Sequence, residues 1–237
     1  MKAKNQSVHV SRRHLLKFGA GAVGTGLLTV GLGSQLAVPD RAVAQNDMTP
    51  DQALRRLMEG NQRFIKGKRE NPNQNRTRLT EVAKSQKPFA SILSCADSRV
   101  PSEIIFDQGF GDMFVCRVAG NIATPEEIGS LEFGSLVLGT KVILVMGHER
   151  CGAVDATIKG AQVPGKIATL LDAIKPAVER AKGQAGDQLA NTCKANVLLQ
   201  IEKLKSSSVI SQLIEQGKLK VVGGYYDLDT GEVSLVS

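Results

Sequence analysis

One apolar segment constrains the fold of this chain more than any other. Lys141–Gly147 has the sequence Lys-Val-Ile-Leu-Val-Met-Gly, which is apolar at nearly every position. Such a segment is typical of a strand in a parallel sheet that is covered on both faces. It predicts a buried strand at the centre of an α/β protein.

Other strand-like and helix-like segments alternate along the chain. Phe89–Ser94 and Met113–Val118 predict further strands, and Leu219–Tyr225 and Glu232–Val236 predict a hairpin around the Asp229-Thr230-Gly231 turn. Helices are predicted at Ser102–Phe106, Pro125–Leu138, Gly152–Ile158, Ile167–Lys182, Gln188–Lys205 and Val209–Gln216. This alternation predicts an α/β fold with a mostly parallel central β-sheet flanked by helices and an antiparallel edge strand.

An N-terminal helical arm precedes the first strand. Thr49-Pro50 is a typical helix start, and an apolar stripe at helical spacing follows it. We expect this helix to end near Gly60, with a short continuation through Phe64. The polar, Asn-rich stretch around Arg76 predicts a solvated connection.

Residue types that bind metals follow two of the predicted strands. Cys95 and Asp97 come directly after Phe89–Ser94, and His148 and Cys151 follow the central apolar segment. Sites in open α/β folds form where such carboxyl ends of strands meet. Two thiolates, one imidazole and one carboxylate are a zinc ligand set with an open or switchable fourth position. The alternative is a purely structural zinc that has Asp97 as its fourth ligand.

Residues 1–44 have the organisation of an export signal. The basic run Ser11–Lys17 resembles a twin-arginine signal, which is an address for the export machinery. The uncharged stretch Phe18–Asp40 follows, and Ala42-Val43-Ala44 predicts cleavage after Ala44. We therefore expect a signal peptide at residues 1–44, one domain at residues 45–237, and a periplasmic or otherwise exported protein. An ordinary secretion signal and an uncleaved membrane anchor are the alternatives.

Charge and glycine patterns exclude two ligand classes. The net charge of +7 is concentrated in residues 1–44, which leave +2 for residues 45–237. That is too little for a nucleic-acid-binding surface. The run Gly19–Gly24 fits G-x-G-x-x-G but follows no predicted strand, so it does not predict a dinucleotide site.

The two remaining cysteines lie outside the ligand-like motifs. Cys116 is in an apolar strand and Cys193 is on a predicted helix. Both positions are typical of small buried thiols. A disulfide between them is the alternative in an exported protein.

Three short motifs together resemble the β-class carbonic anhydrases. They are Cys95–Arg99 (Cys-Ala-Asp-Ser-Arg), Arg117–Asn121 (Arg-Val-Ala-Gly-Asn) and His148–Gly152 (His-Glu-Arg-Cys-Gly). The resemblance extends from about Thr49 to the C-terminus. It implies a zinc enzyme that catalyses the reversible hydration of CO2 to bicarbonate and a proton.

The resemblance implies a role for each residue of the centre. Cys95, His148 and Cys151 would bind one Zn²⁺ per subunit, with water or hydroxide as the fourth ligand. Zinc lowers the pKa of its bound water to about 7, so that hydroxide is available near neutrality. Asp97 would accept a hydrogen bond from this ligand, and Arg99 would keep Asp97 ionised and away from the metal.

The resemblance also implies a substrate pocket that spans two subunits. Gln86 would donate a hydrogen bond to the substrate oxygen across a dimer interface, so the protein would be a homo-oligomer of at least two chains. Phe114 would form a wall of the CO2 pocket, and Gly152 would belong to the substrate-binding residues. Phe133 takes the place of a tyrosine in plant-type relatives, and so lacks its hydroxyl. Core packing is the alternative for both phenylalanines.

Two residue types are scarce in ways that refine this expectation. The chain has no Trp, whereas one subtype of the family has an inhibitory bicarbonate site lined by Trp, Arg and Tyr. We therefore expect the subtype with an open fourth position. His148 is the only histidine after residue 44, so we expect proton release to depend on buffer.

Two other functions fit the same ligands. Enzymes that hydrolyse CS2 or COS resemble this family in their metal ligands and differ in access to the pocket. A zinc-stabilised binding protein without turnover is the alternative from another class. Arg99, placed to engage Asp97, argues against the latter, because a carboxylate fixed on zinc would need no such partner.

Overall fold

The computed structural model describes residues 47–236. The predicted signal peptide, residues 1–44, lies outside the described residues, so export, cleavage and membrane anchoring stay predictions. Within residues 47–236, no helix is both long and apolar enough to cross a membrane.

A five-stranded sheet forms the centre of the described part. Its strands are β1 (Ala90–Ser94), β2 (Met113–Arg117), β3 (Val142–His148), β4 (Lys220–Tyr226) and β5 (Val233–Val236). They lie in the order β2-β1-β3-β4-β5, and every neighbouring pair is parallel except β4 and β5. The predicted α/β fold, with a mostly parallel sheet and an antiparallel edge strand, is confirmed.

Helices cover both faces of this sheet. Over residues 47–236 they are α1 (Pro50–Ile65), α2 (Arg76–Val82), α3 (Ser102–Ile105), α4 (Pro125–Glu132), α5 (Gly152–Ile158), α6 (Ile167–Ala181), α7 (Gln188–Lys205) and α8 (Ser208–Glu215). Ile92 and Leu144 pack toward α1 and α3, whereas Leu93 and Ile143 pack toward α4, α7 and α8. Both faces of the sheet are therefore covered, and every residue of β1 and β3 is buried.

The N-terminal arm is one continuous helix. Thr49 begins it with a capping box, in which its hydroxyl accepts from the backbone N–H of Gln52 and the Gln52 side chain accepts from the N–H of Thr49. The helix does not end near Gly60; it runs on through the predicted continuation to Phe64 and stops at Ile65. Gly60 serves close packing instead, since a Cβ there would lie 1.8 Å from the carbonyl oxygen of Phe106.

The connection around Arg76 is solvated, as predicted, and it contains a helix that was not predicted from the sequence. Arg76–Val82 forms α2, and the Asn75 side chain caps it by accepting from the N–H of Arg78 at 2.8 Å. None of its residues is buried. A polar surface helix of two turns lacks the apolar periodicity by which longer helices are recognised.

The helix predicted at Pro125–Leu138 changes its winding part-way. It is α-helical to Glu132 and continues as a single wide π turn over Phe133–Val137. Gly134 of this turn lies against β1, where an added Cβ would be 2.8 Å from the Oγ of Ser91. The wide turn therefore brings the backbone directly onto the sheet.

All four cysteines of the chain are free thiols. Cys116, on β2, packs with the residues between the sheet and α7. Cys193, on α7, packs in a separate cluster that also contains Cys95 and Cys151. The structure therefore contains no Cys116–Cys193 disulfide.

Candidate metal centre

The carboxyl ends of β1 and β3 bring two predicted ligands to one edge of the sheet. Ser94 ends β1 and pairs with Met146 of β3. Cys95 follows directly, beside the last residues of β3, and His148 is the final residue of that strand. Parallel pairing thus places side chains that are 53 positions apart in sequence beside one another.

A tight turn returns the chain so that Cys151 joins them. Arg150 has a left-handed backbone (φ +51°), a conformation that costs a non-glycine residue about 1–2 kcal/mol. Its guanidinium donates two hydrogen bonds to the carboxylate of Asp229, at 2.9 and 2.7 Å. This pair raises the pKa of Arg150 and anchors the turn to the loop between β4 and β5. Cys151 then begins α5 as its N-cap residue.

The three predicted zinc ligands form a compact buried group. Their ligand atoms all lie within 4.8 Å of one another, and Cys95, His148 and Cys151 are 4%, 0% and 1% exposed. Nδ1 of His148 lies 2.8 Å from the carbonyl oxygen of Glu149, which assigns the ring proton to Nδ1. Nε2 is buried and has no partner among the described residues, so its lone pair is free to bind a metal. Two thiols and such an imidazole fit Zn²⁺.

The two thiols are arranged so that one of them ionises readily. A hydrogen bond from the thiol of Cys151 lowers the pKa of Cys95, and the N–H of Gly120 acts in the same direction, while burial opposes the shift. The same hydrogen bond, together with burial, raises the pKa of Cys151. Because the thiolate is the metal-binding form, a divalent cation would take the place of the proton that the pair shares.

Asp97 lies beside this group and is turned toward Arg99. The Nε and Nη2 atoms of Arg99 donate to the two carboxylate oxygens at 3.0 and 2.8 Å, and its backbone N–H donates at 2.9 Å. The side-chain pair with Arg99 holds the pKa of Asp97 well below its usual range. Oδ2 of Asp97 is still only 3.9 Å from Nε2 of His148. The carboxylate is thus next to a ligand atom, while Arg99 engages both of its oxygens.

Arg117, the last residue of β2, fixes the backbone that carries both Cys95 and Asp97. Its Nε donates to the carbonyl oxygen of Cys95 at 3.0 Å, and its Nη2 donates to that of Asp97 at 2.6 Å. We assigned Arg117 no role from the sequence, although it is the one charged residue in an otherwise apolar predicted strand. A single charged residue at the end of an apolar strand indicates that its side chain makes polar contacts there.

Known proteins share this arrangement of motifs and fold. A model of the carbonic anhydrase family matches residues 90–233, which include all three ligands. Carbonic anhydrase 2 of Mycobacterium tuberculosis is 38% identical over 191 residues, covering 78% of this chain and 92% of that protein. The solved β-carbonic anhydrase of Coccomyxa is 26% identical, covers 76% of this chain and 84% of that one, and superposes with a TM-score of 0.61.

This chain belongs to the β-carbonic anhydrase family. Its enzyme class is therefore carbonic anhydrase, a lyase. A tetrameric β-carbonic anhydrase of Sordaria macrospora shares the fold at 24% identity, with a TM-score of 0.63 over 67% of this chain and 85% of that one.

Three of the expected substrate residues of this β-carbonic anhydrase, Gln86, Phe114 and Phe133, do not join the Cys-His-Cys group. Phe114 pairs with Ser91, three residues before the end of β1 and so about 10 Å from the edge that carries Cys95. It contacts Phe133, whose ring centroid is 6.4 Å away. Gln86 is exposed, and its side chain has no hydrogen bond within residues 47–236.

Gly152 is the expected substrate residue that does lie at the centre. It is the first residue of α5, directly after Cys151, and it is exposed. A Cβ added there would meet no atom within 4 Å. The position next to Cys151 is therefore open to solvent.

Proposed function

We propose that this β-carbonic anhydrase catalyses the reversible hydration of CO2 to bicarbonate and a proton, with Zn²⁺ held by Cys95, His148 and Cys151. The observation that carries the proposal is the buried group of three donor atoms within 4.8 Å, in which Nε2 of His148 has no partner in the described residues. A bound zinc would supply a coordinated water acidified to a pKa of about 7, the nucleophile that CO2 needs.

Asp97 would accept a hydrogen bond from that nucleophile, and Arg99 would hold Asp97 in place. The low pKa of Asp97 keeps the carboxylate ionised at neutral pH, so it can accept a hydrogen bond and orient the attacking lone pair. Arg99 engages both carboxylate oxygens, which opposes movement of Asp97 onto the metal. This supports a centre whose fourth position is open to solvent and substrate.

A stopped-flow measurement of the CO2 hydration rate tests the proposal. Purified zinc-loaded protein should hydrate CO2 far faster than buffer, and Cys151→Ser should lose both zinc and activity. Cys193→Ser is the matched control, because Cys193 is an equally buried free thiol outside the ligand group. Full zinc content without CO2 hydration would contradict the proposal. Hydrolysis of CS2 or COS by the same sample would then support the alternative function.

We also propose that a second copy of the chain completes the substrate pocket. Gln86 is exposed and cannot be assigned to its own centre, and Phe133, Leu136 and Val137 leave an apolar surface beside Phe114. The Sordaria relative is described as tetrameric. At least a dimer, with the partner's Gln86 donating to substrate, accounts for these features.

Mixing two inactive variants tests this arrangement. One variant is Gln86→Leu, which keeps the ligands, and the other is Cys151→Ser, which keeps Gln86. If Gln86 acts across the interface, mixed oligomers contain one complete site and regain up to about half of the activity. If it acts within its own chain, mixing restores nothing.

The release of the product proton should rely on buffer. His148 is the only histidine after residue 44, and both of its nitrogens have assigned tasks in this proposal. Residues 45–237 thus contain no second imidazole, the side chain whose ordinary pKa lies nearest neutrality, to shuttle the proton. The hydration rate should therefore rise with the concentration of an imidazole buffer, and it should stay constant if the chain has its own route.

Finally, we propose that residues 1–44 direct export of the folded, metal-loaded protein by the twin-arginine machinery. Two thiol ligands are best loaded with metal where thiols stay reduced. Replacing both arginines by lysine (Arg12→Lys with Arg13→Lys) removes the arginine pair and preserves the charge. This change should block export by the twin-arginine machinery and leave an ordinary secretion signal working. Cell fractionation of the two full-length proteins distinguishes these outcomes, and an unprocessed membrane-bound product would indicate an anchor.

A further inference from the structure

The sulfur of Cys95 has a partner besides the other ligands. The backbone N–H of Gly120 donates to its Sγ at 3.3 Å, and both residues are buried. An N–H···S bond withdraws electron density from a thiolate, so it weakens the donation of that thiolate to a metal and changes the electronic state of the site. The position of Gly120 therefore matters for the chemistry of Cys95.

Gly120 lies in a short helical turn, Ala119–Asn121, whose local conformation is unusual. Gly120 has φ +76°, and the next residue, Asn121, has φ +43°. A Cβ at Gly120 would lie 2.6 Å from Cδ1 of Ile174, so a side chain there would displace that of Ile174. Two successive left-handed residues are seldom stable by local preference alone, so contacts from elsewhere must hold this turn.

Two buried amides of α7 provide those contacts. Nδ2 of Asn196 donates to the carbonyl oxygen of Gly120 at 2.8 Å, and Oε1 of Gln200 accepts from the N–H of Ala123 at 2.9 Å. Nε2 of Gln200 also donates to Oδ1 of Asn196 at 2.8 Å, so the two amides are linked. Both are 0% exposed. Both polar groups of the Gly120 backbone are therefore hydrogen-bonded: its N–H donates to Cys95, and its carbonyl oxygen accepts from Asn196.

We infer that Asn196 and Gln200 are positioning residues for the metal centre. They hold the N–H of Gly120 on the sulfur of Cys95 and so set how strongly that thiolate donates to the metal. Asn196 acts directly on Gly120, and Gln200 acts through Asn196 and Ala123. The inference rests on the proposed binding of metal by Cys95, and on no property of the substrate.

Cadmium NMR tests the central contact in the unaltered protein. With ¹¹³Cd in place of zinc, a scalar coupling between the metal and the amide proton of Gly120 should be detectable, because the hydrogen bond transmits it through the sulfur. Cadmium couplings to the Cys95 side chain with none to Gly120 would overturn the inference and leave the proposed function intact. Failure of the protein to bind cadmium at all would overturn both.

Variants of α7 test the role of the two amides. In cobalt-substituted protein, Asn196→Leu should shift the thiolate-to-cobalt charge-transfer band to lower energy, because a thiolate that loses its N–H donor is easier to oxidise. Gln200→Met should give a smaller shift in the same direction. Thr192→Val is the matched control on α7, since within residues 47–236 the buried Thr192 hydroxyl bonds only to the carbonyl of Gln188 in its own helix.

The spectral result separates positioning from general stability. A band unchanged in Asn196→Leu, or a shift of equal size in Thr192→Val, would overturn the inference. Should Asn196→Leu fail to fold, Gln200→Met and the coupling to Gly120 still decide the question.

Discussion

Two groups of three potential metal ligands occur in the described part of this protein, and they differ in what surrounds them. Cys95, His148 and Cys151 form one group, and Glu149, Asp227 and Asp229 form the other; in each, the ligand atoms lie within 4.8 Å of one another. The first group is buried, and the second is half-buried to exposed. Distance alone therefore does not distinguish them.

The partners of the acidic group distinguish it from the metal centre. Asp229 accepts two hydrogen bonds from the guanidinium of Arg150, and Glu149 accepts a third at 3.3 Å. Asp227 accepts from the N–H groups of Asp229 and Thr230, and Glu149 also accepts from the N–H of Leu228. These carboxylates already have protein donors. Nε2 of His148 has none in residues 47–236. The acidic group anchors the turn before Cys151, whereas the Cys-His-Cys group has a lone pair to offer.

The largest expected effect is the difference in metal retention between the two groups. His148→Ala should lower the zinc content from about one per chain to near zero and reduce CO2 hydration to the buffer rate, since three ligands are needed for a catalytic site. Asp227→Asn is the matched variant in the acidic group and should keep full zinc content. Elemental analysis of both proteins checks this, and equal zinc loss in the two would erase the distinction.

The next effect concerns activity without loss of metal. Asp97→Asn should retain zinc and lower the hydration rate about 10–100-fold, the usual cost of removing a partner of a metal-bound group. The physical reason is that a neutral amide can donate to the nucleophile and misorient it. Full activity in a zinc-loaded Asp97→Asn protein would remove Asp97 from the mechanism.

A smaller effect should follow when the acidic group loses its hold on Arg150. Asp229→Asn frees the left-handed turn between His148 and Cys151, so zinc affinity should fall by less than roughly tenfold, or about 1.4 kcal/mol. Asp172→Asn is the control, because among the described residues Asp172 pairs only with exposed Lys175 on α6. Competition with a chelator measures both, and identical affinities would show that the turn needs no anchor.

The smallest effect is a dependence of folding on acid. The N–H of Thr230 lowers the pKa of Asp227, and Arg150 lowers that of Asp229, so both pKa values in the folded protein lie below the unfolded value of about 3.9. The stabilisation is therefore fully present above about pH 4 and is lost as the pH falls through the folded values. The difference in thermal midpoint between the native protein and Asp229→Asn should be constant near neutrality and shrink in acid. A difference that persists in acid would exclude this linkage.

The sequence was most informative where a buried strand delivers a side chain directly. The apolar runs that became β1 and β3 predicted that Cys95 and His148 would meet, because parallel strands place their carboxyl ends on one edge. Cys151 followed from its spacing to His148. The sequence alone therefore predicts the three candidate ligands.

The contacts that orient those ligands cannot be predicted from the sequence, because they join distant parts of the chain. Asn196 reaches Gly120 across 76 positions, and Arg150 reaches Asp229 across 79. Neither amide nor guanidinium belongs to a pattern that periodicity could reveal. The apolar surface around Phe133 is a further case, since its partner is proposed to be another chain.

The most direct test of the account is the pH dependence of CO2 hydration by the zinc-loaded protein, followed by stopped flow from about pH 6.5 to about pH 9. If Arg99 keeps Asp97 off the metal, the rate should already approach its plateau near neutral pH, where the bound water ionises. Activity that appears only at high pH would mean that Asp97 occupies the fourth position below it, and this would contradict the open centre proposed for this β-carbonic anhydrase.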